Sequence, residues 1–178
     1  EFRRVLFRSD SFNIPIITLV DVPGFMPSIE QEKKGIIRHG AKLLYAYAEA
    51  TTIKITLILR KAFGGAYIAM GSKHLGTDYV YAWPQSQISV MGAEGAVNII
   101  YNRELKIMEE DEKEKFKRRK IDEYKKIYMS SLIAEKEGYI DEVLDPKETR
   151  LRIFKDIVSL QNKQELFHIC KKHGNIPL

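Results

Sequence analysis

Ile55-Thr56-Leu57-Ile58-Leu59-Arg60-Lys61-Ala62-Phe63-Gly64-Gly65-Ala66-Tyr67 is an apolar run that breaks at a Gly-Gly-Ala step. The apolar part reads as a buried strand and residues 68–74 as a helix. Gly64 to Ala66 therefore open a helix whose first N–H groups have no carbonyl one turn before them. Without a Cβ on Gly64 or Gly65, a ligand oxygen approaches the main chain closely, and the helix dipole favours negative charge at that end. Two such donors make oxyanion-hole chemistry. The same order of strand, glycines and helix also serves plain packing, so the step gains meaning only from its neighbours.

Upstream, Ile14-Pro15-Ile16-Ile17-Thr18-Leu19-Val20 is nearly all apolar, the pattern of a strand covered on both faces, and it runs into the turn-forming Asp21-Val22-Pro23-Gly24. Ser28 with Gln31 has the form of a capping box, and Ile37, Ala41, Leu44 and Ala48 follow at helical spacing. Residues 51–59 form the next strand. The helix after the Gly-Gly-Ala step carries Lys73 and His74 in its last turn and stops at Gly76. Residues 79–82 and 87–90 read as short strands separated by Trp83-Pro84, since proline cannot donate to a central ladder. Met91-Gly92-Ala93-Glu94-Gly95-Ala96 repeats the grammar of strand, small-residue turn and helix, here a helix over 97–101. Between 109 and 120 only Phe116 is uncharged, which marks a solvated helix rather than a docking surface. Residues 135–144 form a turn and strand around Gly138, and Pro146 starts a last helix to about Gln161. Strand, turn and helix in repeated order imply an α/β fold with a mostly parallel sheet and flanking helices.

The 178 residues suffice for one core, and 44% hydrophobic with 30% charged residues describes a globular chain. No apolar stretch reaches the roughly 20 residues of a transmembrane helix. Cys170 is the only cysteine, which excludes an internal disulfide and a multi-thiolate metal site and suits a reducing compartment. The net charge of +5 comes from basic residues scattered among acids, not gathered with aromatics on one stripe, so nucleic acid is not the expected partner. Residues 1–9, Glu-Phe-Arg-Arg-Val-Leu-Phe-Arg-Ser, lack the apolar stretch of a secretory signal and join abruptly to the strand pattern. They read as a cloning or adaptor-derived scar and are set aside, leaving 10–178 as the domain.

The turns at Gly64 to Ala66 and at Met91 to Ala96 fall on one sheet edge, where strand ends meet helix starts and ligands bind. Asp21, ahead of Pro-Gly, reads as a cap of its own turn rather than a base. Arg38 and His39 read as solvated or packed. Arg60 and Lys61 stand at a strand end, within reach of a carboxylate or phosphate. His168, Cys170 and His173 lie within six residues but lack a fourth ligand, so no metal is expected. No nucleophile elbow, His-Glu-x-x-His or phosphate loop occurs, which removes the usual support for hydrolase, zincin and ATPase readings.

Taken together, several motifs resemble the carboxyltransferase subunit of biotin-dependent acyl-CoA carboxylases. They are Val20-Asp21-Val22-Pro23-Gly24-Phe25, residues 36–48, Arg60-Lys61-Ala62-Phe63-Gly64-Gly65-Ala66-Tyr67, Ser72-Lys73-His74-Leu75-Gly76, Tyr81-Ala82-Trp83-Pro84 and Val90-Met91-Gly92-Ala93-Glu94-Gly95-Ala96. Gly138-Tyr139-Ile140-Asp141-Glu142-Val143 and the terminal Lys172-His173-Gly174-Asn175-Ile176-Pro177-Leu178 complete the set. The propionyl-CoA carboxylase and methylmalonyl-CoA decarboxylase branch is the nearest, and the resemblance covers about residues 11–178.

Such subunits resemble two crotonase-like domains in tandem, and this chain is similar to the C-terminal one. The resemblance implies a missing N-terminal carboxyltransferase domain, biotin carboxylase and biotin carrier subunits as partners, a homo-oligomer, and inactivity of the fragment alone. It implies acyl-CoA as substrate and biotin carried on another chain, in the cytoplasm or, in a eukaryote, the mitochondrial matrix. By the same resemblance Gly65 and Ala66 donate their N–H groups to the ureido oxygen of biotin. Gly64, Tyr67, Ile68, Gly92 and Ala93 then shape the biotin and acyl-CoA pocket. Negative charge develops on that oxygen as CO₂ leaves, and preorganised donors stabilise it. The released biotin anion takes the α-proton, which accounts for the absence of a visible triad. Ile68 stands where propionyl-specific relatives often carry aspartate, so propionyl and acetyl both remain, as does the reverse decarboxylation. A hydratase or isomerase of the same fold would need carboxylate acid-base residues in a matching motif, and none is seen. A basic, non-catalytic binding module would instead show affinity that collapses with salt and indifference to biotin.

Overall fold

The computed structural model describes residues 2–164 and 176–177. Helix α1 (Phe2–Ser11) leads into strand β1 (Ile16–Val22), then α2 (Ile29–Lys33) and α3 (Ile36–Glu49). Strand β2 (Lys54–Phe63) passes directly into α4 (Gly64–Ala69), and a 3-10 turn (Lys73–Leu75) precedes β3 (Tyr79–Ala82) and β4 (Gln87–Ser89). Helices α5 (Ala93–Ile100), α6 (Asn102–Ile107), α7 (Glu110–Tyr128) and α8 (Ser131–Lys136) follow, then β5 (Glu142–Val143) and α9 (Thr149–Ser159). No described helix is long and apolar enough to cross a membrane.

Among the described residues the strands pair in parallel, in the order β1-β2-β3-β5 with β4 also on β2, and an isolated antiparallel bridge joins Gln87 to Ser130. Strand β2 is long enough to serve two partners in turn. Ile55 to Ile58 pair with β3, and Lys61 to Phe63 pair with β4. Trp83-Pro84 carries the chain from one pairing to the next, as a residue without an N–H should. The Trp83 indole donates to Thr149 Oγ1 at 3.0 Å, and Ser131 Oγ donates to the Pro84 carbonyl at 3.2 Å, which fixes this corner to α9 and α8.

The sheet buries two faces. Val20, Ile58, Ala62, Val80 and Ile88 meet Tyr67, Ala134 and Ile140 on one side, while Ile55, Leu57 and Tyr81 meet Leu144 and Ile153 on the other. Tyr81 Oη donates to the buried Asp156 at 2.6 Å and ties α9 to the second face. Strand β1 departs from the expected double cover. Thr18 and Val20 are buried, but Ile17 and Leu19 are 46% and 57% exposed. Their register with Ile55 and Leu57 puts them on the second face, at an edge that α9 does not reach.

Other elements differ from the sequence expectations for identifiable reasons. Strand β2 continues beyond Leu59 because Lys61, Ala62 and Phe63 have β4 as a partner. Helix α4 ends at Ala69, short of His74, because Ser72 Oγ bonds the Ile68 carbonyl and the Thr56 and Thr77 hydroxyls take the Gly71 carbonyl. Ser28 does accept from Gln31 N–H, but the helix it caps stops at Lys33 and a second begins at Ile36. The buried face of α3 is Gly40, Ala46 and Tyr47, whereas Ile37 is exposed. The opening residues, set aside above, fold as α1, with Leu6 buried against Ala46 and Tyr47 and the Asp10 carboxylate accepting from Thr51 and Thr52 N–H. Helix α7 is solvated as expected, with ion pairs such as Arg118 to Glu114, yet it runs past Lys120, where Ile121 and Tyr124 pack on Phe63 and Met129.

Candidate active site

The Gly-Gly-Ala step follows β2 without a loop, so its main chain is positioned by the sheet. Gly64 has φ 62°, and a Cβ there would lie 2.9 Å from the Val90 carbonyl oxygen. Only glycine meets both conditions. The first small-residue turn is thereby packed against the end of β4, as two turns on one sheet edge should be. The N–H groups of Gly64, Gly65 and Ala66 form the first turn of α4 and have no intrahelical carbonyl to meet. With six residues α4 adds little macrodipole, so the donors themselves supply the polarity.

In front of this turn lies a cavity of about 480 Å³. Gly64, Gly65, Tyr67 and Ile68 line it from α4, and Ser89 and Val90 line it from the end of β4. Tyr124 and Tyr128 of α7, Ile133 and Ala134 of α8, and His74 with Tyr139 close the rest. The His74 and Tyr139 rings stack at 5.9 Å, and the Tyr124 and Tyr128 rings meet at 5.0 Å with a 44° tilt. The walls are mainly apolar with a few polar tips, the usual character of a small-molecule site.

Three of the five expected pocket residues, Gly64, Tyr67 and Ile68, share one cavity with the expected donor Gly65, whereas Gly92, Ala93 and the other expected donor, Ala66, do not line it. Ala93 is buried with Phe63 and Met129, and a Cβ on Gly92 would rest 3.8 Å from the Phe63 ring. Their small size serves packing of α5 on β2. The Ala66 side chain is also buried, which leaves its N–H as the group of interest.

Tyr67 is 5% exposed and its hydroxyl has no hydrogen-bond partner among the described residues. Burial pushes the phenol up to about 12. Asp21 does not cap its own turn, because it lies within β1 and receives the Arg60 guanidinium at 2.8 Å and the Lys61 N–H at 3.2 Å. The β1 to β2 register shifts at this point, and the carboxylate takes up the N–H that the irregularity releases. The Arg60 hydrogen bond holds the Asp21 carboxyl below its ordinary value. Arg60 is thus engaged by a carboxylate of the chain itself. Phe25, from the same motif, lies between helices: a Cβ on Gly40 would come within 2.6 Å of its ring, and one on Gly65 would lie 3.7 Å away. Arg38 and His39 are exposed and do not line the cavity. His168, Cys170 and His173 lie outside the described residues.

Sequence reasoning missed Tyr124, Tyr128 and Tyr139. The available signal was a pair of tyrosines four residues apart at the end of an otherwise charged helix, one turn on a shared face.

The family model described as the carboxyl transferase domain matches residues 3–176. The propionyl-CoA carboxylase beta chain of Cereibacter sphaeroides is 53% identical over 169 residues, 95% of this chain and 32% of the relative. The methylmalonyl-CoA decarboxylase subunit alpha of Propionigenium modestum is 52% identical over 169 residues, with the same two shares. Among solved structures, the transcarboxylase 12S hexamer with methylmalonyl-coenzyme A and methylmalonic acid bound superimposes with a TM-score of 0.91 at 47% identity, over 99% of this chain and 33% of that one. The chain spans about a third of the length of the relatives it matches, and its α/β architecture is the crotonase-like one. By sequence and by fold, the chain belongs to the carboxyl transferase domain family.

Proposed function

We propose that this domain takes part in carboxyl transfer between carboxybiotin and a short-chain acyl-CoA, propionyl-CoA or acetyl-CoA, and that it holds the biotin. The observation that carries the reading is the Gly64-Gly65-Ala66 turn, whose two glycines line an apolar cavity, in a chain of the carboxyl transferase family. The Gly65 and Ala66 N–H groups suit an oxygen that gains negative charge, and Gly65, exposed at the cavity wall, adds no side chain to crowd it. Bound carboxybiotin supplies the carboxyl group and a ureido oxygen for these donors to meet. The chain's own residues orient and dry the site: Tyr67 and Ile68 from below, Ile133 and Ala134 from α8. Less water around the donors strengthens their effect on a developing charge.

The rest of a full-length subunit would supply the CoA site, and biotin carboxylase and biotin carrier components would complete the cycle, in a homo-oligomer. The same donors serve transfer in the opposite direction, and the 52% identity to a decarboxylase subunit keeps decarboxylation as the second reading.

The test is Ala66→Pro in the full-length subunit with carboxybiotin supplied. Proline is tolerated in a first helical turn but deletes the N–H, so kcat should fall by about 10² to 10³ while circular dichroism and melting stay near the parent. A folded variant that transfers at the parent rate would remove Ala66 from the donor pair and refute the assignment.

A further inference from the structure

The two edges of the sheet are finished differently. Strand β5 has two residues, and its Glu142 is paired with Arg152 at 2.6 Å. That is the short, charged form which keeps an edge from recruiting another strand. Strand β1, at the other end, has seven residues and carries no charge before Asp21. Among the described residues it pairs with β2 alone. The main-chain groups of a strand alternate sides. The Ile16 N–H donates to the Ile53 carbonyl at 2.8 Å, so the N–H and carbonyl groups of Ile17 and Leu19 face away from β2. Their side chains are the two that stand exposed on the second face.

We infer that the sheet continues past β1: an uncharged, extended segment from the remainder of the full-length subunit pairs with the main chain of Ile17 and Leu19. The five residues from Ile16 to Val20 span about 17 Å. Two separate molecules joined by such an edge alone would bury far less than the roughly 1,200 Å² of a standard interface, which argues against a second copy as the occupant. Within one polypeptide the same few bonds form at the effective concentration set by the connecting chain. The relatives have the length to supply it, since this chain covers 32% of one and 33% of another. The edge also fixes the chemistry of its occupant. Side chains of the added strand on the second face lie beside Ile17 and Leu19, where apolar and β-branched residues pair best. Its ladder stops at Asp21, where the register shift and the Arg60 ion pair interrupt β1.

The experiment uses the full-length subunit and reads structure rather than turnover, so its failure is distinct from failure of the carboxyl-transfer reading. Amide hydrogen exchange resolved to single residues should find Ile17 and Leu19 protected to within about 10-fold of Thr18 and Val20, whose N–H groups face β2. An open edge gives an alternating pattern instead, with Ile17 and Leu19 exchanging more than about 10-fold faster, and overturns the inference. Leu19→p-benzoylphenylalanine, irradiated in the same subunit, identifies the occupant. The expected crosslink runs at the mass of one subunit on a denaturing gel and joins position 19 to a peptide outside residues 1–178. A product at the mass of two subunits gives the edge to a second copy, and a crosslink confined to residues 1–178 gives it to this chain. Either overturns the inference.

Discussion

Exchanging Gly64 and Gly65 one at a time for alanine separates the frame of the site from its mouth. At Gly64 an L residue would sit at φ 62° with its Cβ 2.9 Å from the Val90 carbonyl. The left-handed conformation costs about 1–2 kcal/mol, and crowding against main chain that cannot swing away adds about 1–3 kcal/mol. A better helix former returns up to about 1 kcal/mol. Gly64→Ala should thus lose about 2 to 4 kcal/mol, a fall in Tm of roughly 5 to 15 °C for a chain of this size. Gly65 has no positive φ, and its added Cβ would make an ordinary 3.7 Å contact with Phe25. Gly65→Ala should keep its stability to within about 1 kcal/mol, yet it adds a methyl group to an exposed residue of the cavity wall, so kcat/KM for carboxyl transfer should drop. Urea or thermal denaturation measures the first quantity, and steady-state transfer by the full-length subunit measures the second. If Gly64→Ala melts with the parent, or Gly65→Ala melts early with its activity intact, the strand-to-helix junction does not work as described.

Tyr67→Phe removes a buried hydroxyl that has no partner among the described residues, so the variant should match the parent or gain about 1 kcal/mol in denaturation; a loss larger than that would reveal a bond to Oη. Asp21 is held below its ordinary value by Arg60, so its contribution to stability is complete above the unfolded carboxylate range and disappears as pH falls through the depressed folded value. The stability difference between parent and Asp21→Asn should therefore be full at pH 7, begin to shrink near about pH 4 and disappear at still lower pH as the folded carboxylate is protonated, and a pH-independent difference would assign Asp21 a role other than its charge. Ile68→Asp puts a carboxylate into an apolar wall and should change the acetyl, propionyl and butyryl ratios by about 10-fold or more, whereas equal loss on all three would make Ile68 a packing residue.

The sequence made the sheet legible where local chemistry and tertiary need coincide. Pro84 forbids a continuous ladder, and the structure uses that break to move the chain from β3 to β4. The Gly-Gly-Ala junction was readable for the same reason, since a strand end, a helix start and a missing Cβ are all local. Signals that depend on distant partners were misread. Asp21 carries the local signature of a turn cap, and only the fold brings Arg60 to it. Gly92 and Ala93 share the small-residue grammar of Gly64 to Ala66, but Phe63 and Met129 claim that smallness for packing. Ile17 and Leu19 read as doubly covered because hydropathy alone does not name the element that covers them. Tyr124 and Tyr128 had no motif to announce them, being brought to Ile68 by the return of α7 to the sheet.

The double engagement of β2 has a consequence for how the molecule breathes. This strand is hydrogen-bonded to β1 along one side and to β3 and then β4 along the other. No local fraying event can release its far end, because loosening that end means opening two seams at once. Its central amides should be among the last to exchange with solvent, through openings close to global unfolding, while the charged surface of α7 exchanges through small local ones. The donors of Gly65 and Ala66, two and three residues past the end of this strand, inherit that persistence. Their aim is fixed before any ligand arrives and is lost only when the sheet itself comes apart.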